Sequence, residues 1–130
     1  MESKKINFLA VDDEPVCLAS LSMQFFKTNV DVIEASSGEQ ALEVIKGNHP
    51  IDVVLLDLMM PGIDGIQLLD EIAKLEHRKG MVVILQTGVT SKPQLKEGLQ
   101  RGATDYIIKP FTKEELVTII NKHLKIRIEV

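Results

Sequence analysis

Cysteine is nearly missing from this sequence: Cys17 stands alone among 130 residues. One thiol cannot form an internal disulfide, so nothing points to a secreted, stapled domain, and a reducing cytoplasm is the simplest home. No apolar run approaches the ~18 residues that cross a bilayer, and the opening Met-Glu-Ser-Lys-Lys lacks the apolar core of a signal peptide. Basic blocks are missing as well. With a net charge of -4 and no cluster of Lys or Arg, the chain is not expected to bind nucleic acid directly. Internal repeats, low-complexity tracts and linker-like stretches are also absent, so residues 1–130 read as a single domain around one hydrophobic core.

What is present is an alternation of short apolar runs with helical periodicity, five times over. Ile6–Val11 is a continuous apolar run rich in strand formers and reads as a buried strand. Val30–Ala35 alternates and reads as a strand at a sheet edge. Ile51–Leu56, Met81–Leu85 and Tyr106–Ile108 complete the set. Between them, Pro15 opens a helix with Leu18, Leu21 and Phe25 on one face. Ser37-Gly38-Glu39-Gln40 reads as a capping box ahead of Ala41, Leu42 and Ile45. Gly65 starts a third helix with Ile66, Leu69, Ile72 and Ala73 inward. Thr112-Lys113-Glu114-Glu115 is a second box, followed by Leu116, Ile119, Ile120 and Leu124.

The fourth helix, Ser91–Arg101, differs from the rest. Its apolar stripe is only Leu95 and Leu99, and Gly98 inside it costs about 1 kcal/mol relative to Ala. It reads either as a mobile element or as a merely exposed helix. Regular β-α alternation implies an α/β fold: a doubly wound, five-stranded parallel sheet of order 2-1-3-4-5, flavodoxin-like, with five helices on both faces. In that order the winding reverses between strands 1 and 3, and ligands sit in the crevice beyond their carboxyl ends.

Asp12, Asp13 and (less centrally) Glu14 follow strand 1, and Asp57 ends strand 3. Two unit charges ~4 Å apart repel by about 1 kcal/mol in water and about 4 at an effective dielectric of 20. Such a cluster needs a cation, and all-oxygen ligands suit Mg2+. Asp12 or Asp13 could instead cap the helix that Pro15 opens. That does not account for Asp57, whose place at a strand tip beside a metal suits a nucleophile forming an acyl phosphate. Strand 4 runs into Gln86-Thr87-Gly88, which offers a hydroxyl and space, and strand 5 runs into Lys109-Pro110, which offers a positive charge. Taken singly, Thr87 is an ordinary loop residue and Lys109 an ordinary solvated lysine. Their meeting at neighbouring strand ends is what points to a site.

These residues resemble the receiver domain of two-component response regulators, including chemotaxis-type receivers. The resemblance runs from Ile6 to about Ile126. It rests on Val11–Pro15 (VDDEP), Leu55–Gly65 (LLDLMMPGIDG), Ile84–Gly88 (ILQTG) and Gly102–Phe111 (GATDYIIKPF). It implies that Asp57 is the phospho-acceptor, and that Asp12, Asp13, Asp57 and the Met59 backbone carbonyl hold Mg2+. It further implies that Thr87 and Lys109 hold the phosphoryl oxygens and that Tyr106 is the switch aromatic, against the alternative of a static half-buried strand residue. The Lys109-Pro110 bond is expected to be cis, again from the resemblance alone.

The implied partners are a sensor histidine kinase or histidine phosphotransfer protein, and an output domain or protein on the surface of helix 4, strand 5 and helix 5. The implied activity is that of a switch rather than an enzyme, catalysing only its own phosphorylation and slow dephosphorylation. Stopping just after the fifth helix, the chain reads as a free-standing receiver or as the front of a longer regulator. Residues His123–Val130 are amphipathic enough to continue as a linker helix.

Three other readings fit less well. A haloacid-dehalogenase-type hydrolase carries its nucleophile in an Asp-x-Asp motif after strand 1, whereas Asp12 and Asp13 are adjacent. A flavodoxin needs a phosphate-cradling first loop, which Asp-Asp-Glu-Pro would repel. A receiver that signals without phosphate would lack acceptor, metal or switch residues, and all are present.

Met59 and Val89, two positions after Asp57 and Thr87, are apolar. Polar side chains there could position the water that hydrolyses an acyl phosphate. The phosphorylated protein is therefore predicted to outlive that of chemotaxis receivers. Following bound phosphate after removing the donor, with no phosphatase added, checks this; decay within seconds would contradict it.

Overall fold

Apolar runs without alternation belong where both faces of a sheet are covered. The computed structural model, which describes residues 5–58, 65–88, 92–125 and 127–128, places three such runs there. Strands β1 (Ile6–Val11), β3 (Val53–Asp57) and β4 (Val82–Thr87) are interior, and nearly every residue in them is buried. The more polar β2 (Val30–Ala35) and β5 (Asp105–Ile108) take the two edges. All pairings are parallel, in the order β2-β1-β3-β4-β5 expected from the alternation.

Helices cover both faces. On one side α1 (Pro15–Gln24) and α5 (Lys113–His123) bury Leu18, Leu21, Leu116 and Ile120 against Phe8, Leu55 and Ile84. On the other, α2 (Gly38–Lys46), α3 (Gly65–Ala73) and α4 (Lys92–Gln100) pack on Leu9, Val54, Leu56 and Leu85. Among the described residues no helix is long and apolar enough to cross a membrane.

Several local readings need correction. The inward stripe of α3 is Gly65, Leu68, Leu69 and Ile72, while Ile66 is only partly buried and Ala73 is exposed. Positions i, i+3, i+4 and i+7 share one helix face, and Leu68 completes that set. The capping box at α2 is half formed. Ser37 Oγ accepts from the Gln40 N–H at 3.1 Å, but the Gln40 side chain accepts from the Ser36 N–H at 2.8 Å instead of closing on Ser37. The box at α5 is complete, with both bonds between Thr112 and Glu115 at 3.1 Å.

Strands 3 and 4 end later than read, so that Asp57 and Thr87 are strand residues. The first described helical residue of the fourth helix is Lys92; Ser91 lies outside the described residues. Among the described residues, those after His123 do not prolong α5 into a linker helix. Leu124 turns extended (φ -93°, ψ 145°), and Ile128 is buried in the α1–α5 core.

A 3-10 turn, Glu76–Arg78, precedes β4. Its Arg78 is 8% exposed and donates to the carbonyls of Ile45 at 2.8 Å, Gly47 at 3.1 Å and His49 at 2.8 Å. Those carbonyls lie at and just past the end of α2, where helix geometry leaves acceptors unpaired.

Gly98 explains how α4 sits so close to the sheet. A Cβ there would lie 2.5 Å from Leu85 Cδ1 and 3.6 Å from the Cδ1 atoms of Ile66 and Leu69. Helix propensity alone would favour Ala at this position by about 1 kcal/mol, but overpacking a fully enclosed site costs about 1–3 kcal/mol. Leu85 is itself fully buried and has little room to swing away. Gly98→Ala is therefore expected to lose roughly 1 kcal/mol net, read as a lower urea midpoint at unchanged slope. A midpoint at or above wild type would contradict the packing argument.

Candidate functional site

Register delivers the site. Val11 lies opposite Leu56, Asp57 opposite Gln86, and Thr87 opposite Ile108. The residues Asp12, Asp57, Thr87 and Lys109 therefore emerge at one edge of the sheet, within one residue of the strand ends. Backbone bonds secure the turns there. The Asp12 N–H donates to Ala35 O at 3.1 Å, and the Lys109 N–H donates to Thr87 O at 2.8 Å. The Lys109-Pro110 peptide is cis, as the resemblance implied.

Asp12 (1% exposed) and Asp57 (5%) are buried, whereas Asp13 faces solvent. One carboxylate oxygen from each of the three lies within 4.8 Å of the others. Lys109 Nζ sits 3.3 Å from Asp57 Oδ2 and 3.5 Å from Asp12 Oδ2. Partial burial by itself would lower the Lys109 pKa, but Asp57 and Asp12 outweigh it and hold the ammonium above the ordinary lysine value. One lysine faces three acidic side chains, so the formal charge at the site is negative. That excess, the oxygen-only donors and the access through Asp13 fit a hard divalent cation.

The helix-cap alternative for Asp12 and Asp13 is not what forms. Glu14 occupies the cap position of α1 and makes no side-chain cap bond. Asp12 Oδ1 instead accepts from the Glu14 N–H at 3.0 Å, while its Oδ2 accepts from Gln86 Nε2 at 3.1 Å. Both oxygens of Asp12 are thereby oriented. Gln86 is 2% exposed and belongs to the site, a role that sequence reasoning missed. The available signal was an amide directly after the apolar run from Met81 to Leu85.

Thr87 is buried, and its hydroxyl donates to Gly88 O at 3.2 Å. Among the described residues a Cβ on Gly88 would meet nothing within 4 Å beyond its chain neighbours. Tyr106 is 39% exposed and borders a shallow hollow with Leu95, Lys96 and Leu99. Met59, proposed as a backbone ligand, and Val89 lie outside the described residues. Cys17 stands near Asp12 and Glu14; burial, then those two charges, push its thiol pKa up, which keeps it protonated and a poor ligand for a hard ion.

Comparison with known proteins agrees with this geometry. The family model described as response regulator receiver domain matches residues 8–121. The DNA-binding response regulator MtrA of Mycolicibacterium smegmatis is 34% identical over 125 residues, covering 96% of this chain and 53% of that protein. The chain spans about half the length of the curated relatives it matches.

Among solved structures, the receiver domain of Francisella response regulator 1452 is 31% identical with a TM-score of 0.79, covering 91% of this chain and 95% of that one. The receiver domain of sensor histidine kinase PA1611 from Pseudomonas aeruginosa is 26% identical with a TM-score of 0.82, covering 92% and 97%. That structure holds a magnesium ion coordinated in its active site cleft. By family match, shared fold and an acidic sheet edge faced by lysine, this chain belongs to the response regulator receiver domain family and functions as a phospho-accepting signalling domain.

Proposed function

We propose that Asp57 is the phospho-acceptor and that residues 1–130 form a single receiver, with the phosphoryl group coming from a histidine kinase or histidine phosphotransfer protein. The observation that carries this reading is the place of Asp57. It is a buried carboxylate at a strand tip, within 4.8 Å of two other carboxylates and 3.3 Å from Lys109. A carboxylate oxygen of Asp57 attacks the phosphorus of a phosphohistidine. An O–P bond forms as the P–N bond breaks, and the donor histidine leaves neutral after taking a proton. The product is an acyl phosphate.

Asp12, Asp13 and Asp57, with the Met59 backbone carbonyl, are the residues that would hold Mg2+. The magnesium-bearing cleft of the PA1611 receiver supports this choice of metal. The chemistry the ion supplies when bound is charge neutralisation on the transferring phosphoryl. Lys109 contributes fixed positive charge beside the accepting oxygen. Gln86 and the Glu14 N–H keep Asp12 aimed at the cluster.

After transfer, Thr87 turns its hydroxyl from the Gly88 carbonyl to a phosphoryl oxygen. A hydrogen bond to a charged group is worth about 1.5–3 kcal/mol, enough to shift a two-state equilibrium roughly 10- to 150-fold. The vacated space lets Tyr106 move inward and reshapes the α4–β5–α5 face. Leu99, Tyr106 and Ile108 are exposed apolar residues on the elements of that face, which supports its use by an output domain or partner protein. The chain then works in the cytoplasm as a switch, catalysing only its own phosphorylation and slow dephosphorylation, without touching nucleic acid or membrane itself.

Two measurements test this. Incubation with acetyl phosphate and Mg2+ should add one phosphoryl group by intact mass, and Asp57→Asn should reduce labelling to background. Equal labelling of the variant would overturn the assignment. Asp13→Asn removes one charge from the repelling cluster at its solvent side, worth about 1 kcal/mol. Its melting temperature in chelator should therefore rise by roughly 4 °C, with weaker Mg2+ binding. A lower metal-free melting temperature would contradict the charge argument.

A further inference from the structure

The last turn of α5 is held from two sides by side chains that the phosphoryl chemistry does not use. Toward β5, His123 Nε2 pairs with Asp105 Oδ2 at 2.8 Å, and Lys122 Nζ lies 3.9 Å from the same oxygen. The other oxygen of Asp105 accepts the Tyr106 N–H at 2.8 Å. Toward the C-terminal segment, Asn121 Oδ1 accepts the Ile128 N–H at 2.7 Å. Arg127 O in turn accepts from Asn29 Nδ2 at 2.9 Å, and Asn29 is itself buried just ahead of β2.

Ile128 is 5% exposed and joins the core cluster that contains Phe25, Val30, Leu116 and Ile120. A buried isoleucine whose preceding peptide is pinned at both its C=O and its N–H is a docked segment. Its anchors come from two distant parts of the chain.

We propose that Arg127–Ile128 is a strap coupled to β5: a change at Tyr106 passes through Asp105 and the last turn of α5 to the docked C-terminal segment. The link is one of direct contacts. Tyr106 and Asp105 share a backbone-to-carboxylate bond, Asp105 holds His123, and Asn121 in the same turn holds Ile128. Whatever moves β5 must lengthen one of these bonds or shift the turn, and a shifted turn loosens the Asn121 hold on the strap. Because coupling between two sites is reciprocal, freeing the strap must also loosen β5 at Tyr106.

Amide hydrogen exchange on the full chain reads both directions. The Ile128 amide of the wild type should exchange about tenfold or more slower than an unfolded-chain amide. Asp105→Ala should cut that protection about threefold or more, with β3 and β4 amides unchanged. His123→Ala should act alike and serves if Asp105→Ala proves unstable. Ile128→Ser should raise exchange at Tyr106.

An unprotected Ile128 amide in the wild type overturns the docking. Protection that ignores both Asp105→Ala and His123→Ala overturns the coupling. A further arm rests on the phosphorylation reading above: labelling Asp57 should change Ile128 exchange about threefold or more, and Asp57→Asn should show no change. Labelled protein with unaltered exchange counts against the coupling. Absence of any label, seen by mass, counts against the acceptor assignment alone, and the variant arms still decide the strap.

Discussion

Repulsion among carboxylates at the winding reversal of the sheet is the constraint around which this molecule is arranged. Asp12 and Asp57 are buried side by side with Asp13 at the mouth, a placement that folding would resist without compensation. Lys109 compensates in part, at 3.3 and 3.5 Å from the two buried acids. The remaining negative charge suits the edge to a divalent cation.

The rest of the fold holds that arrangement in position. Four parallel strand ends must finish in register, because a slip of one residue would turn Asp57 or Thr87 to the other face of the sheet. Packing on both faces enforces the register through β1, β3 and β4, whose residues are almost all enclosed. Polar groups refine it. Gln86 aims Asp12, and Arg78 gathers the loose carbonyls where α2 ends, far from the site but beneath the strands that carry it. The face of α4, β5 and α5 is built differently. Its helix approaches through a glycine, and Leu99, Tyr106 and Ile108 remain in contact with solvent.

Much of this could be read from the chain before any coordinates. The five apolar runs located the strands to within about two residues, the alternating run Val30–Ala35 was placed correctly at an edge, and the winding order followed from the β-α alternation. Asp12, Asp13 and Asp57 were brought together as expected, with Lys109 beside them. Leu68 was overlooked because Ile66 and Ala73 also fit a helical period when the phase of the helix is unknown. Gln86 was overlooked because an amide in a strand carries no sign of the carboxylate it will meet 74 residues away in sequence.

Composition and periodicity by themselves determined the class of fold, the parallel sheet and the residues at its carboxyl edge. Those features follow from local preference and the need to cover apolar surface, both written along the chain. Tertiary structure alone decided that Gly98 is a point of close approach rather than a weak spot in α4. It also decided that Arg78 is buried and that Arg127 and Ile128 pack back on the core instead of prolonging α5. Each of these depends on partners distant in sequence, whose meeting is set by packing and by the pairing of buried polar groups. No window along the chain contains that information.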